Sequence, residues 1–491
     1  MSVDAFVTGL MQEHFEEVAG LYESRREQLD EWESNPADLA AAESRIEAHL
    51  DGLVLGESKG LEVAVDGSNP DDPSSFYALL ALACAADRYD VVQVTLARLD
   101  AYCEGDDADP ETAAALRTAS ADALIHHVPP RWADALSHAL TDATAHVLPV
   151  VVAVIGAGRL ARGAPKPLSD AASKSSADPR PILEALARVQ GSDVGPLVTH
   201  IDDPDPAVAM VAVLGALRRG EVMVVDMLHK RRSVPWSAMA LALCSGKSLA
   251  RILLATKTDE LTPQTLLALG LLGDPEALDV LLAALHREPH AKAAALALFL
   301  ITGALLGDDD APPQDEDEDT ASADEADADE ATPPAPVTGA AKANAEAVPP
   351  APVTGAATAN ADAPADAELD APPSEPWDVL LGSDISTDPQ RWAAWDQEHR
   401  SRFRAGFRYR LGALASPRGD LELLAGSSLP LWLRRLLSDE FVIRYGVQSA
   451  FEVDMLASRQ SRALSEVRAW LDDPRARFTA GAWYFQGRVT Q

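Results

Sequence analysis

Apolar residues recur every three or four positions along most of the chain, with polar residues between them. Over residues 3–32, Phe6, Leu10, Phe15, Val18, Tyr22, Leu29 and Trp32 fall at spacings near 3.6, which predicts an amphipathic helix. Asp38 is placed to cap a second helix with Leu39, Ala42, Ile46, Leu50 and Leu53 on one stripe. Residues 74–103 and 111–128 read as further helices. Few segments alternate apolar and polar residues with β-branched enrichment, so strands should be rare.

Between residues 178 and 303 the pattern becomes a repeat. A proline opens an Ala/Leu/Val-rich run and a glycine closes it, in PILEALARVQG (181–191), PAVAMVAVLGALRRG (206–220), PWSAMALALCSG (235–246), PQTLLALGLLG (263–273) and PHAKAAALALFLITG (289–303). The opening prolines stand 25, 29, 28 and 26 residues apart. Proline suits the first turn of a helix and glycine the position just past its end. Amphipathic segments at 221–230, 247–257 and 275–288 lie between the runs, the last with Asp274 as its cap. Each unit therefore reads as a helix pair that buries its apolar face only by stacking on its neighbours. The expected class is all-α: a HEAT-like α-solenoid with a helical C-terminal domain and a long acidic insert.

Charge locates the boundaries. The 491 residues carry a formal net charge of −36. Residues 308–376 hold 19 acidic side chains against one lysine, no aromatic residue and 12 of the 34 prolines. Such a segment cannot bury enough apolar surface to offset chain entropy, and disorder is expected. Its internal copy of PPAPVTGAA, at 333–341 and 349–357, fits a tolerant linker. Residues 377–491 are different: they hold 15 of the 26 aromatics, and all 16 of their basic residues are arginine. The expected division is 1–72, an N-terminal helical region; 73–306, the repeats; 307–376, the linker; and 377–491, an Arg/aromatic-rich helical domain. Cys84, Cys103 and Cys244 offer no CxxC pair, which argues against a disulfide framework or a four-cysteine zinc site. The N-terminus lacks a basic region followed by an apolar one, and the run Val147–Gly158 is too short to cross a bilayer. A cytoplasmic protein is expected.

EHFEEVAGLYESR (13–25) with RIEAHLDGL (45–53), DDPDPAVAMVAVLGALRRGE (202–221) and FTAGAWYF (478–485) resemble an uncharacterised bacterial family with HEAT-like repeats. The resemblance covers both ends and the middle and leaves the acidic insert outside. It implies repeat units akin to those of phycobilin lyases, genes sometimes near type VI secretion loci, and no assigned catalytic residue.

Several motifs suggest chemistry and read better as structure. In VVVAVIGAGRLA (150–161), Gly156, Gly158 and Ala161 have the form of a dinucleotide fingerprint. However, Pro165 and Pro167 would break the helix that must receive the pyrophosphate. The expected reading is an apolar helix ending at glycine. CSGKS (244–248) lacks the first glycine of a phosphate loop and reads as a repeat turn. Asp122/His126, Asp134/His138 and Asp142/His146 have the i,i+4 spacing of zinc-ligand pairs, but also that of ordinary surface polar pairs. His286 and His290 are separated by Pro289. No metal, cofactor or catalytic residue is assigned.

The stretch HRSRFRAGFRYRL (399–411) is the candidate interaction surface. On a helix, Arg400, Arg404 and Arg408 line one face and Phe403, Phe407 and Leu411 another. Nucleic-acid binding needs a basic footprint that a domain of near-zero net charge does not have. A fold-back of the acidic insert onto this arginine face is the alternative. The functional expectation is a non-enzymatic protein that binds another protein, one with a basic surface. The remaining readings are an immunity protein occluding a basic toxin and a lyase-like chromophore handler using one of the cysteines.

Overall fold

The structure is a computed structural model describing residues 3–30, 36–158, 165–172, 178–189, 191–231, 235–255, 261–306, 385–426, 429 and 431–490. The acidic segment, with the disorder expected of it and its proposed fold-back, lies outside these residues, as does Trp32. Residues 1–307 and 376–491 form one compact unit, from which 308–375 separate. The C-terminal residues thus share this compact unit with the residues up to 307.

The first half contains α1 (Val3–Asp30), α2 (Pro36–Leu55), α3 (Glu57–Gly67), α4 (Pro73–Ala85), α5 (Tyr89–Glu104), α6 (Pro110–His127), α7 (Ala133–Asp142), α8 (Leu148–Gly158) and α9 (Pro165–Ala172). The repeats supply α10 (Arg180–Arg188), α11 (Gly195–Thr199), α12 (Pro206–Arg218), α13 (Val222–Lys230), α14 (Pro235–Cys244), α15 (Lys247–Leu254), α16 (Pro263–Leu272), α17 (Leu278–Ala284) and α18 (Glu288–Thr302). The C-terminal part has α19 (Pro389–His399), α20 (Pro417–Ala425), α21 (Leu431–Tyr445) and α22 (Ala457–Leu471). Its two antiparallel pairs, β1 (Tyr409–Arg410) with β2 (Ala413–Leu414) and β3 (Tyr484–Phe485) with β4 (Arg488–Val489), are two residues long. Among the described residues no helix is long and apolar enough to cross a membrane.

Every proline-opened run is a helix, and local chemistry sets its start. Asp72, Asp109, Asp205, Asp274 and Asp388 each precede a proline, and each carboxylate accepts a first-turn backbone N–H. Asp38 does not follow this rule, because α2 begins two residues earlier at Pro36.

Packing follows a simple order. From α4 to α18 the even-numbered helices contact one another in succession, and α5, α7, α9, α11, α13, α15 and α17 each lie against an even neighbour. Some even helices are covered on all sides: in α16 every residue from Leu266 to Leu272 is buried, whereas α6 and α10 keep exposed residues such as Thr118 and Glu184. Such all-round apolarity marks helices inside a core. Gly156 shows how closely they pack, since a Cβ there would lie 2.7 Å from Ala185 Cα. The apparent dinucleotide fingerprint is therefore the crossing point of α8 and α10, within a helix as expected. In α1, Phe15, Val18, Tyr22 and Leu29 are buried as the periodicity indicates, but Phe6 and Leu10 remain exposed.

The ends of the insert are fastened together: Ser386 N–H donates to Leu306 O at 3.0 Å. Closing a long loop between two adjacent points costs entropy that grows with its length. Replacing 308–383 with a linker of about eight Gly/Ser residues should leave the fold intact and raise stability by about 2 kcal/mol. Urea denaturation of both chains checks this, and a destabilised deletion would show that the insert contributes to the folded unit.

Candidate functional site

Because the even helices stack side by side, the last-turn carbonyls of each, which have no partner within the helix, require donors from elsewhere. At α10 Arg219 and Ser192 provide them, and at α6, α12, α14, α16 and α18 the C-terminal part does. Arg459 donates to Ile125 O at the end of α6, and Gln486 to Leu217 O at the end of α12. Arg444 donates to Ala242 O and Ser245 O beyond α14. At α16, Arg410 and Trp483 donate to Leu271 O and Leu272 O, and Tyr409 N–H to Gly273 O. At α18, the N–H groups of Leu411 and Gly412 reach Leu300 O and Ile301 O. Cations beside helix C-termini also meet the negative end of the macrodipole.

Glu440, on α21, holds this set together. It accepts from Arg408, from Arg410 at 2.6 Å and from Arg444 at 2.7 Å. All four side chains are buried. Burial alone pushes the Glu440 carboxyl up, but the guanidiniums of Arg408, Arg410 and Arg444 outweigh it and bring it down to about 2. Beside it, Tyr445 Oη donates to Asp420 at 2.6 Å, and burial raises both groups.

These contacts correct the reading of Arg400, Arg404 and Arg408 as one face of a helix. The helix ends at His399, a single 3₁₀ turn follows, and the chain then enters β1. Arg400 pairs with Asp396 and Asp279. Arg404 is exposed and lies over the Phe407 ring at 5.1 Å. Arg408 is fully buried on Glu440, so it cannot belong to an interaction surface.

A second polar cluster joins the same C-terminal part to the N-terminal helices. Arg25 pairs with Glu43 at 2.8 Å and donates to Asp454 O, while Ala457 N–H donates to Glu43. Tyr22 stacks on Tyr77 with centroids 3.9 Å apart and donates to Asp122. Tyr77 Oη and His127 Nε2 are 3.0 Å apart. Asp122 and His126 are therefore parts of a buried network and do not form a zinc pair. Burial, aided by Arg459 and Arg25, brings the His127 imidazole down to about 3; burial, Arg25, His127 and Arg459 lower His126 as well. Cys84 and Cys244 are buried with thiols pushed up to about 12, which opposes thiolate chemistry at either.

Both clusters are internal, and the recess with the character of a docking site lies in the outer layer. A groove of about 520 Å³ runs between α5 and α7. Leu96 and Ala97 form one wall, Ala135 and Ala139 the other, and Val147 and Val151 the floor. Asp100, Asp142 and His138 complete it, and no lysine or arginine lines it. Asp100 accepts from Thr144 Oγ at 2.6 Å. The periodicity of α5 and α7 marks both as helices, yet alanines on their outer faces carry no signal that a groove lies between them. Among the described residues no group of three His, Cys, Asp or Glu side chains is arranged for a metal ion. No family model, curated protein or solved structure matches the chain.

Two predictions follow from these contacts. Glu440→Leu leaves three buried guanidiniums without their counter-charge, and the expected loss is about 3–5 kcal/mol. Arg418→Met, which breaks the exposed pair with Asp472, should change stability by less than about 1 kcal/mol. Equal shifts of the urea midpoint in the two variants would remove Glu440 from its central role.

The second concerns pH. His126 and His127 stay neutral in the folded protein, while the unfolded chain protonates them below about pH 6.5. Stability is therefore complete above that pH and falls as pH drops toward 5, by up to about 1.4 kcal/mol per pH unit for each ring. As pH falls through the raised values of Asp122, Asp420 and Asp439 toward 3.8, these carboxyls act in the opposite direction. The slope between pH 6.5 and 5 should disappear in a His126→Gln/His127→Gln variant followed by chemical denaturation.

Proposed function

We propose that this chain is a non-catalytic scaffold of HEAT-like helical repeats whose outer layer receives another protein, one with a basic rim. The observation that supports this reading is the α5–α7 groove. It has an apolar floor, alanines on the α7 side that let a partner backbone come close, Tyr89, Gln93 and Leu96 on the α5 side, and carboxylates without a lining lysine or arginine. The ends of α6, α12, α14, α16 and α18 already meet the chain's own C-terminal part, and Arg408, Arg410, Arg444 and Arg459 of that part are committed to Glu440 and to helix ends. The net charge of −36 favours the same class of partner. An immunity protein covering a basic toxin is a special case of this reading. The resemblance to a family with genes near type VI secretion loci names one cytoplasmic setting in which such a partner arises.

Filling the groove tests the proposal. Ala97→Trp and Ala139→Trp should each weaken capture of a co-purifying partner by about 2 kcal/mol or more, roughly thirtyfold in Kd. Asp142→Lys should slow association and reduce its salt dependence. Met223→Ser, at a residue 65% exposed on α13, serves as the control and should change nothing. A partner lost from the Met223 variant and retained by both tryptophan variants would place docking elsewhere.

A further inference from the structure

The cleft between α1 and α2 contains a polar pair that neither the fold nor the proposed docking uses. His14 and His49 face each other with Nδ1 atoms 2.9 Å apart. Their rings are inclined at 66° with centroids 5.1 Å apart. Both are half-buried, and they open onto a groove of about 600 Å³ that Glu13, Glu16, Glu17 and Arg45 also line. The approach depends on Gly52, because a Cβ there would sit 2.7 Å from His14 Nε2 and displace the ring.

Two imidazoles with nitrogen directed at nitrogen share at most one proton, since an N–H on each would point at the other. A cation between them instead accepts both lone pairs. Two imidazole nitrogens on one tetrahedral zinc, at bonds of about 2.0–2.1 Å, stand about 3.3 Å apart. The nitrogens need to part by only a few tenths of an ångström to reach that span, and both rings must turn so that their lone pairs converge on the ion. Glu17 follows His14 by three residues, so both share a face of α1. Its carboxylate meets Arg45 at 3.5 Å in an exposed pair that is easily exchanged. No third ligand stands preformed, and the carboxylate must swing inward, with water completing the shell. Two imidazoles and a carboxylate suit zinc, cobalt or nickel, whereas magnesium and calcium favour all-oxygen shells.

We propose that His14 and His49, joined by Glu17, hold one borderline divalent transition-metal ion that clips α1 to α2.

The test uses the full-length, tag-free chain, titrated with Zn²⁺ by calorimetry and with Co²⁺ by visible absorption. The double variant His14→Ala/His49→Ala provides the baseline set by the other exposed histidines. The intact chain should bind one Zn²⁺ more than this variant. Each single alanine should weaken that site roughly tenfold or more, and Glu17→Gln by less. Gly52→Ala keeps every ligand but displaces His14, and it should lose the site too. Zn²⁺ should raise the thermal midpoint of the intact chain only. Equal stoichiometry in the intact chain and the double variant, or a Co²⁺ spectrum indifferent to both histidines, would overturn the assignment.

Discussion

The fold depends on hydrogen-bond donors at the ends of helices. An α-helix leaves its last four carbonyls without internal partners, and an isolated helix gives them to water. In this chain the even-numbered helices from α4 to α18 are stacked, and the last turns of α6, α12, α14, α16 and α18 are largely buried, so those ends do not simply face solvent. Arg459, Gln486, Arg444, Arg410 and Trp483 meet the ends of α6, α12, α14 and α16 from one continuous stretch of chain. Arginine is suited to this task, because its planar fork reaches two or three acceptors at once. Arg444 illustrates it, donating to Glu440, Ala242 O, Ser245 O and Tyr484 O together. Gathering several guanidiniums in a dry interior needs a counter-charge, and Glu440 supplies it.

That arrangement decides which surface is left for other molecules. The ends of the even-numbered helices from α12 to α18 are covered by the chain itself, which leaves the odd-numbered helices as the more open layer. The outer layer is incomplete where Pro129 and Pro130 turn the chain from α6 into α7 and residues 143–147 lead into α8. The underlying even layer is reached there, which gives the α5–α7 groove an apolar floor.

The helices were legible in the sequence because proline, glycine and period-3.6 apolarity all point the same way at 181–303. The Asp–Pro pairs strengthened the starts. What the sequence concealed was the difference between a stripe that packs on one neighbour and a helix surrounded by neighbours, as in α16. The stretch 399–411 misled for a related reason. Phe403, Phe407 and Leu411 keep helical spacing, yet Gly406 lies among them and Gly412 just after, both with positive φ, as has Leu411 itself, and this ends any helix. Phe-Arg-Tyr-Arg-Leu at 407–411 alternates with a period of two, and that weaker signal matches β1. The partnership of Arg408 with Glu440 spans 32 residues, a distance over which a single sequence carries no pattern. The groove was invisible for the opposite reason: alanine at an exposed helical position looks the same beside solvent as beside a recess.

The buried arginines also change what the charge balance means. Residues 377–491 have a slight formal excess of base, which is the only sequence feature that hints at an anionic ligand. Arg408, Arg410, Arg434 and Arg444 are each 2% exposed or less, whereas Glu440 and Asp420 are the acids buried beside them. Burial therefore takes more base than acid out of reach of solvent. What a partner meets is more acidic than the formula suggests, and long-range attraction acts only through charges that solvent sees. An anionic polymer gains little from such a surface, and the proposed cationic partner would be favoured by it. The electrostatic preference of the outside is thus set by the hydrogen-bonding needs of the inside.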